Sequence, residues 1–284
     1  MASALLLKRR IKTARNVSKT TRAFQMIAAS RLKKAQEAAI QSKPYVEKLE
    51  YLSKGLTSRI EADSLHEYMK TNNNTATTLY IIFSPDKGLC GSLVSNLTKE
   101  VIQNSSNKND FYIAVGKKAE HNVYSLGKNV IATFPFGTSL PHFDMVYPIA
   151  KIIEEYFLNK KVSQVKVIST RFISVFTQNP IVTNVLPIRF EEEKSSGSES
   201  TMLFEPNLSE LLPSLLDHYL EMIIYQLLLE NFASEQAARM VAMKNATDNA
   251  GEMIKTLQLE YNKVRQEKIT GEILDITGGQ FAYA

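Results

Sequence analysis

The sequence predicts an α/β fold on an unequal plan. A long antiparallel two-helix coiled coil is formed by the N- and C-terminal helices, with an inserted Rossmann-like α/β domain that has a mainly parallel sheet. Three observations carry this. The stretch from about Leu208 to Ile276 has no proline between Pro213 and Gly271 and a single glycine, Gly251, and is dominated by good helix formers. The first fifty-odd residues carry an apolar stripe at helical spacing. Between these ends the periodicity changes to short β-branched runs alternating with helical patterns.

The division follows: 1–55 an N-terminal coiled-coil helix, 56–76 a linker, 77–200 an α/β globular domain, and 201–284 a C-terminal coiled-coil helix with a projecting tip. In the first helix the stripe is Leu7, Ile11, Ala14, Ser18, Thr21, Gln25, Ala28, Leu32, Ala35, Ala39, Ser42, Val46 and Leu49. Steps of three and four hold such a stripe against a partner helix in a left-handed coil. Pro44 is expected to kink this helix or mark its lower end, because it removes a backbone hydrogen bond. Lys70 to Thr75 reads as a polar linker.

In the middle, Thr78–Ser84, Phe111–Gly116, Val130–Phe136, Val165–Phe172 and Ile181–Phe190 read as strands. Leu89–Asn104, Lys117–Leu126 and Phe143–Leu158 read as helices, and Glu191–Ser200 as a charged, serine-rich loop. The second long helix has its own stripe: Tyr219, Met222, Gln226, Leu229, Ala233, Gln236, Met240, Met243, Thr247, Ala250, Ile254, Leu257, Tyr261 and Val264. Its small and polar members predict close approach at modest strength. At ~1.5 Å per residue, about 70 residues span roughly 105 Å against about 75 Å for the first helix. Residue 5 is therefore expected near residue 258, leaving a single-helix tip with Ile269, Ile273, Leu274, Ile276 and Phe281 that needs a socket in another chain.

Composition bounds the function. The 284 residues are 44% hydrophobic, enough for a substantial core, and no apolar run reaches the ~20 residues of a membrane span. One cysteine, Cys90, excludes an internal disulfide, and four scattered histidines make no zinc pattern. Charge is segregated. Residues 1–55 hold 13 Lys and Arg against 3 acids, net +10; residues 208–284 hold 6 against 11, net −5. Ten basic residues precede the first acid, Glu37. Such a start looks like a transit peptide, but the helical stripe continues beyond presequence length. The basic face is either solvated or meets an acidic partner. Nucleic acid is disfavoured, since no aromatic residue precedes Phe24 and no base-reading module is visible.

The turn Ser84-Pro85-Asp86-Lys87-Gly88-Leu89-Cys90-Gly91-Ser92 lies between a strand and a helix, where a phosphate loop would sit. It lacks both glycine-rich fingerprints. It reads instead as a structural turn formed by Asp86, Gly88, Cys90 and Gly91, the glycines permitting close packing. No catalytic constellation, metal set or cofactor site stands out.

Four segments together resemble the gamma subunit of F-type ATP synthases. They are Arg10-Ile11-Lys12 with Lys19 to Leu32 (KTTRAFQMIAASRL), Asp86 to Gly91, Ser234 to Ala250 (SEQAARMVAMKNATDNA), and Tyr261 to Gln266 with Ile269 to Glu272. They span the chain in the family's order. Two positions depart: Arg22-Ala23-Phe24 stands where the family usually has Lys-Ala-Met, and Gly279-Gln280 where it has Gly-Ala.

The resemblance implies the central rotor shaft of the F1 sector of a proton-translocating ATP synthase. It implies a chain with no catalytic, metal or cofactor site of its own, standing in a ring of alpha and beta subunits with epsilon and the c-ring at its base. Expected contact residues are Lys19, Arg22, Phe24, Arg239, Arg265, Gln266, Thr270 and Glu272. For each charge the competing reading is a solvated face, and for Phe24 it is packing in the seam. The start at Lys8-Arg9-Arg10-Ile11 favours the cytoplasmic side of a bacterial plasma membrane, with the matrix side of a mitochondrial inner membrane as the alternative. Without the resemblance, the reading is a free-standing coiled-coil scaffold with an α/β head that binds an acidic partner.

Overall fold

The structure is a computed structural model that describes residues 4–57, 66–72, 75–105, 107, 109–190 and 207–281. The chain divides into two units: Met1–Ala28 with Arg239–Ala284, and Ala29–Ala238. Two helices contribute to both, α1 (Ala4–Thr57) and α5 (Leu208–Phe281). The predicted stripes are the inward faces of these helices: no member of either is exposed.

In the first unit the two helices run antiparallel. Thr21 and Thr247 meet hydroxyl to hydroxyl at 2.7 Å, and Arg15 donates to the Gln258 amide oxygen at 3.5 Å. Each threonine hydroxyl also lies within reach of its own helix, at Ser18 O and Met243 O. Each has one hydrogen, so one donates across the seam while the other bonds back to its own turn. Leu7, Ile11, Ala14 and Ala28 are buried here with Met243 and Ala250. Counting outward from the Thr21–Thr247 pair sets Leu5 opposite about position 263, roughly one turn beyond the expected 258. Ile269, Ile273 and Leu274 are exposed, as expected for the tip. The side chains of Ile276 and Phe281 lie outside the described residues, as do the predicted loop, Glu191–Ser200, and residues 201–206 of the predicted C-terminal segment.

In the second unit β1 (Thr78–Phe83), β2 (Phe111–Val115), β3 (Asn129–Phe134), β4 (Gln164–Phe172) and β5 (Gln178–Leu186) form one sheet in the order β3-β2-β1-β4-β5. The first four strands are parallel and β5 pairs antiparallel with β4. The order reverses direction between β1 and β4. Tyr80 and Ile82 of β1 pack with Leu97 and Val101 of α2 (Leu93–Asn104) and with Ala119 and Val123 of α3 (Lys117–Ser125). Their neighbours Leu79, Ile81 and Phe83 are buried as well, so both sides of β1 are covered, as a central parallel strand requires. In α4 (Val146–Leu158), Ile149, Ile153 and Phe157 are buried, and Phe157 meets the ring of Tyr68.

Several expectations needed correction. The second helix begins at Leu93 rather than Leu89, because Leu89 and Gly91 adopt left-handed backbone (φ 65° and 60°) that a helix does not tolerate. α4 starts at Val146, preceded by a 3-10 turn at Phe143–Met145. β5 runs Gln178–Leu186 rather than Ile181–Phe190, and β3 ends at Phe134. Pro44 does not end α1, which continues to Thr57. Within the segment read as linker, Tyr68 is buried and its carbonyl accepts the Ile188 N–H at 2.8 Å.

The junction of sheet and α5 is polar and buried. Asn231 to Ala237 are all buried, so α5 is enclosed on every side along this stretch. Thr170 lies past the last β1–β4 pair, Ile82 with Ile168, and opposite Pro180, which has no N–H. The Thr170 N–H donates to Asn231 Oδ1 at 3.0 Å, and Ser234 Oγ donates to the Thr170 carbonyl at 2.9 Å. Two side chains three residues apart on one helix face thus take the place of a missing strand.

Two outcomes follow from this packing. Asn231→Leu is expected to lower unfolding free energy by about 2–3 kcal/mol in denaturant titration, because it leaves a buried backbone N–H without an acceptor. His66 provides the second. Its Nδ1 accepts the Tyr68 N–H at 3.3 Å, and burial holds its pKa below the ordinary imidazole value, against the opposing pull of Asp217. A lowered folded pKa means the unfolded chain binds the extra proton first. Stability is expected to fall as pH drops below about 6.5. In His66→Asn, which keeps an acceptor without that titration, the decline in Tm over this window should be shallower.

Candidate functional site

All eight expected contact residues fall in the first unit. Lys19, Arg22 and Phe24 lie on the exposed side of α1. Phe24 is 44% exposed, so it does not pack in the seam, which passes through Thr21, Gln25 and Ala28 instead. On α5, Arg239 is half-buried, whereas Arg265, Gln266, Thr270 and Glu272 are exposed. The Thr270 hydroxyl donates to the Gln266 carbonyl at 2.9 Å, and Glu272 pairs with Lys268 at 3.4 Å. An exposed pair of this spacing contributes only a few tenths of a kcal/mol, so an incoming partner can displace it at little cost.

The structure also sets part of the basic face of α1 against a second wall. A groove of about 620 Å³ is lined by Lys8, Arg9, Lys12, Arg15 and Lys19 on one wall and by Gln258 and Tyr261 on the other, with Leu5, Ile11 and Asn16 completing it. No acid lines it. Five cations at helical spacing on one wall repel one another and attract anionic groups. The signal was present in the spacing of the basic residues, but the opposing wall depends on the helix pairing.

The turn after β1 works through its carboxylate. Asp86 accepts the backbone N–H of Lys117 at 2.9 Å, of Phe136 at 3.3 Å and of Gly137 at 2.8 Å. An acid therefore caps the start of α3, where a phosphate would otherwise find its donors. Gly88 and Gly91 do not serve close packing, contrary to expectation: a Cβ at either would meet nothing within 4 Å. Gly91 is required by its positive φ. The close approach is at Gly116, where a Cβ would lie 1.9 Å from the Ser84 carbonyl oxygen. Cys90 is buried. Among the described residues no group of His, Cys, Asp and Glu could hold a metal, and no helix is long and apolar enough to cross a membrane.

Comparison with known proteins matches this geometry. A family model described as ATP synthase matches residues 3–282. A protein of Dehalococcoides mccartyi called ATP synthase gamma chain is 36% identical over 288 aligned positions that cover both chains fully. A Legionella pneumophila protein of the same name is 35% identical over 289 positions, covering 99% of this chain and all of the other. Among solved structures, a chain of the Euglena gracilis mitochondrial ATP synthase, in an assembly of OSCP, F1 and c-ring, shares the fold at a TM-score of 0.68 and 19% identity, covering 99% of this chain and 95% of that one. A chain from the central stalk and c-ring of the Tetrahymena thermophila mitochondrial enzyme has a TM-score of 0.59 at 22% identity, covering 80% and 99%. With a family model matched almost end to end and full-length relatives above one-third identity, the chain belongs to the ATP synthase gamma-chain family.

Proposed function

We propose that the chain is the central rotor shaft of the F1 sector of a proton-translocating ATP synthase, set inside a ring of alpha and beta subunits with epsilon and the c-ring at its base. The observation that carries this is the full-length match to gamma chains, combined with a helix pair whose two members differ in charge and contacts. One asymmetric chain facing three equivalent subunits biases each differently, and only a difference in contact free energy can do so. The coupling is reciprocal: turning the shaft changes nucleotide affinity, and nucleotide turnover turns the shaft.

On this reading the chain is a non-catalytic subunit of a membrane-bound complex, and ATP chemistry occurs on beta. Support comes from the places where an α/β domain would bind a nucleotide. Asp86 already takes the Lys117 N–H at the start of α3 and the Gly137 N–H after β3, and Asn231 and Ser234 of α5 already hold the end of β4 beside the strand-order reversal. Residues 1–55 and 201–284 form the shaft, 77–200 the base domain and 56–76 the link between them. The complex sits on the cytoplasmic side of a bacterial plasma membrane, or on the matrix side of the mitochondrial inner membrane.

Lys19, Arg22, Phe24, Arg239, Arg265, Gln266, Thr270 and Glu272 contact the ring, and the basic groove receives acidic segments of beta. Arg239 is the strongest of these, because a guanidinium can grip a carboxylate with two parallel hydrogen bonds. Tagged and extracted from its native membrane, the chain should co-purify with alpha and beta subunits as one assembly with ATPase activity. A tagged chain that migrates alone would instead identify a free-standing scaffold. In inverted vesicles, Arg239→Ala should lower proton-driven ATP synthesis by about tenfold, the loss of roughly 1.4 kcal/mol of coupling, while the assembly still forms. Synthesis at the unmodified rate would remove Arg239 from the contact set.

A further inference from the structure

A side-chain relay lies in the second unit, between the lower parts of α1 and α5. The Tyr45 hydroxyl is 2.9 Å from His218 Nε2, and His218 Nδ1 is 3.5 Å from the Glu221 carboxylate. The His218 ring is held edge-on between Tyr45, with centroids 5.8 Å apart, and Phe143, at 6.3 Å. The carboxylate beside Nδ1 favours the tautomer with its proton there. Nε2 is then left with a lone pair facing the phenol. A nucleophile in contact with a base, and a base oriented by a third group, is the arrangement that activates a weak hydroxyl.

Tyr45 is also accessible. It is 49% exposed, equal to Tyr147 at 49% and below Tyr124 at 58%. Among the described residues, no hydrogen-bond partner is seen for the hydroxyl of Tyr124 or Tyr147. The chain therefore carries its own controls: phenols of equal or greater exposure without an imidazole. The Tyr45 hydroxyl belongs to neither stripe and to none of the contact residues.

We propose that Tyr45 is an activated tyrosine, a site of covalent modification by acyl donors that carry a good leaving group. Tyr45 Oη attacks the acyl carbon, and the bond from that carbon to the leaving group breaks, its electron pair departing with the leaving group. The phenol proton passes to His218 Nε2, and Glu221 stabilises the resulting imidazolium. The product is an aryl ester on Tyr45, and the proton then leaves with the released group or to water.

The full-length chain is treated with N-acetylimidazole, and acetylation at each tyrosine is followed by peptide mass spectrometry. Tyr45 is expected to react about tenfold faster than Tyr124 and Tyr147, below the roughly hundredfold at which general-base assistance in formed active sites begins. His218→Phe keeps a ring against Phe143 and should bring Tyr45 down to the control rate, and Glu221→Gln should fall between. The wild-type comparison stands even where a variant folds poorly. An advantage of less than about threefold over the controls overturns the proposal, as does a Tyr45 rate unchanged in folded His218→Phe.

Discussion

The arrangement at Thr170 is the constraint on which the rest of the sheet domain depends. A β-strand that outruns its neighbour exposes an N–H and a carbonyl, and burying them without partners costs about 1–3 kcal/mol each. Here the neighbour on that side, β1, has already ended. Asn231 and Ser234 supply the acceptor and the donor from a helix. An apolar helix face would have packed there but left both groups stranded. Because the two side chains must match one residue of β4, they fix the rotation and the height of α5 on the sheet. Apolar contacts tolerate sliding by a fraction of a turn; this pair of hydrogen bonds does not.

The same junction occupies the ground on which open α/β sheets bind their ligands. In open sheets, ligands bind beyond the carboxyl ends of the strands, where the strand order reverses. In this chain that ground is taken by its own groups. Asp86 accepts three N–H donors around the start of α3, and α5 lies against the end of β4 with seven consecutive residues buried. Gly116 lets the β1 turn come close, with no room for even a methyl group against Ser84. Asp86 ties the β1 turn to α3 and to the end of β3, and Asn231 and Ser234 hold the domain to its long helix, at a place where related architectures hold a cofactor.

The sequence made some of this legible and hid the rest for physical reasons. Helix and strand periods are local, so both stripes, the five strands and the mainly parallel sheet could be read directly. Leu7, Leu32, Leu229 and Ala250 are buried as their spacing demanded. Element ends were less legible, because they depend on single backbone angles such as the positive φ at Leu89, which no propensity announces. Buried polar groups were the least legible. Asn231, Ser234 and Glu235 look like surface residues of a helix, and only the sheet that encloses them makes them interior. The basic residues of α1 were plain in the sequence, but the groove they line needs Gln258 and Tyr261 from a partner helix more than two hundred residues away.

The composition of the seam bears on how such a helix pair can serve a gamma chain. A stripe of leucines would bind more tightly but would accept a shift of one heptad at small cost, since each layer looks like the next. Thr21 facing Thr247 cannot shift without burying two hydroxyls against apolar neighbours, so polar layers exchange strength for a unique register. Ser42 with Gln226 repeats the device in the other unit. α5 is one continuous helix over Leu208–Phe281. A part that must present different faces to different neighbours needs its faces in fixed angular order more than it needs maximal stability. Polar layers in the seam and hydrogen bonds at the sheet both provide that order, and both do so with groups that a core optimised only for burial would have excluded.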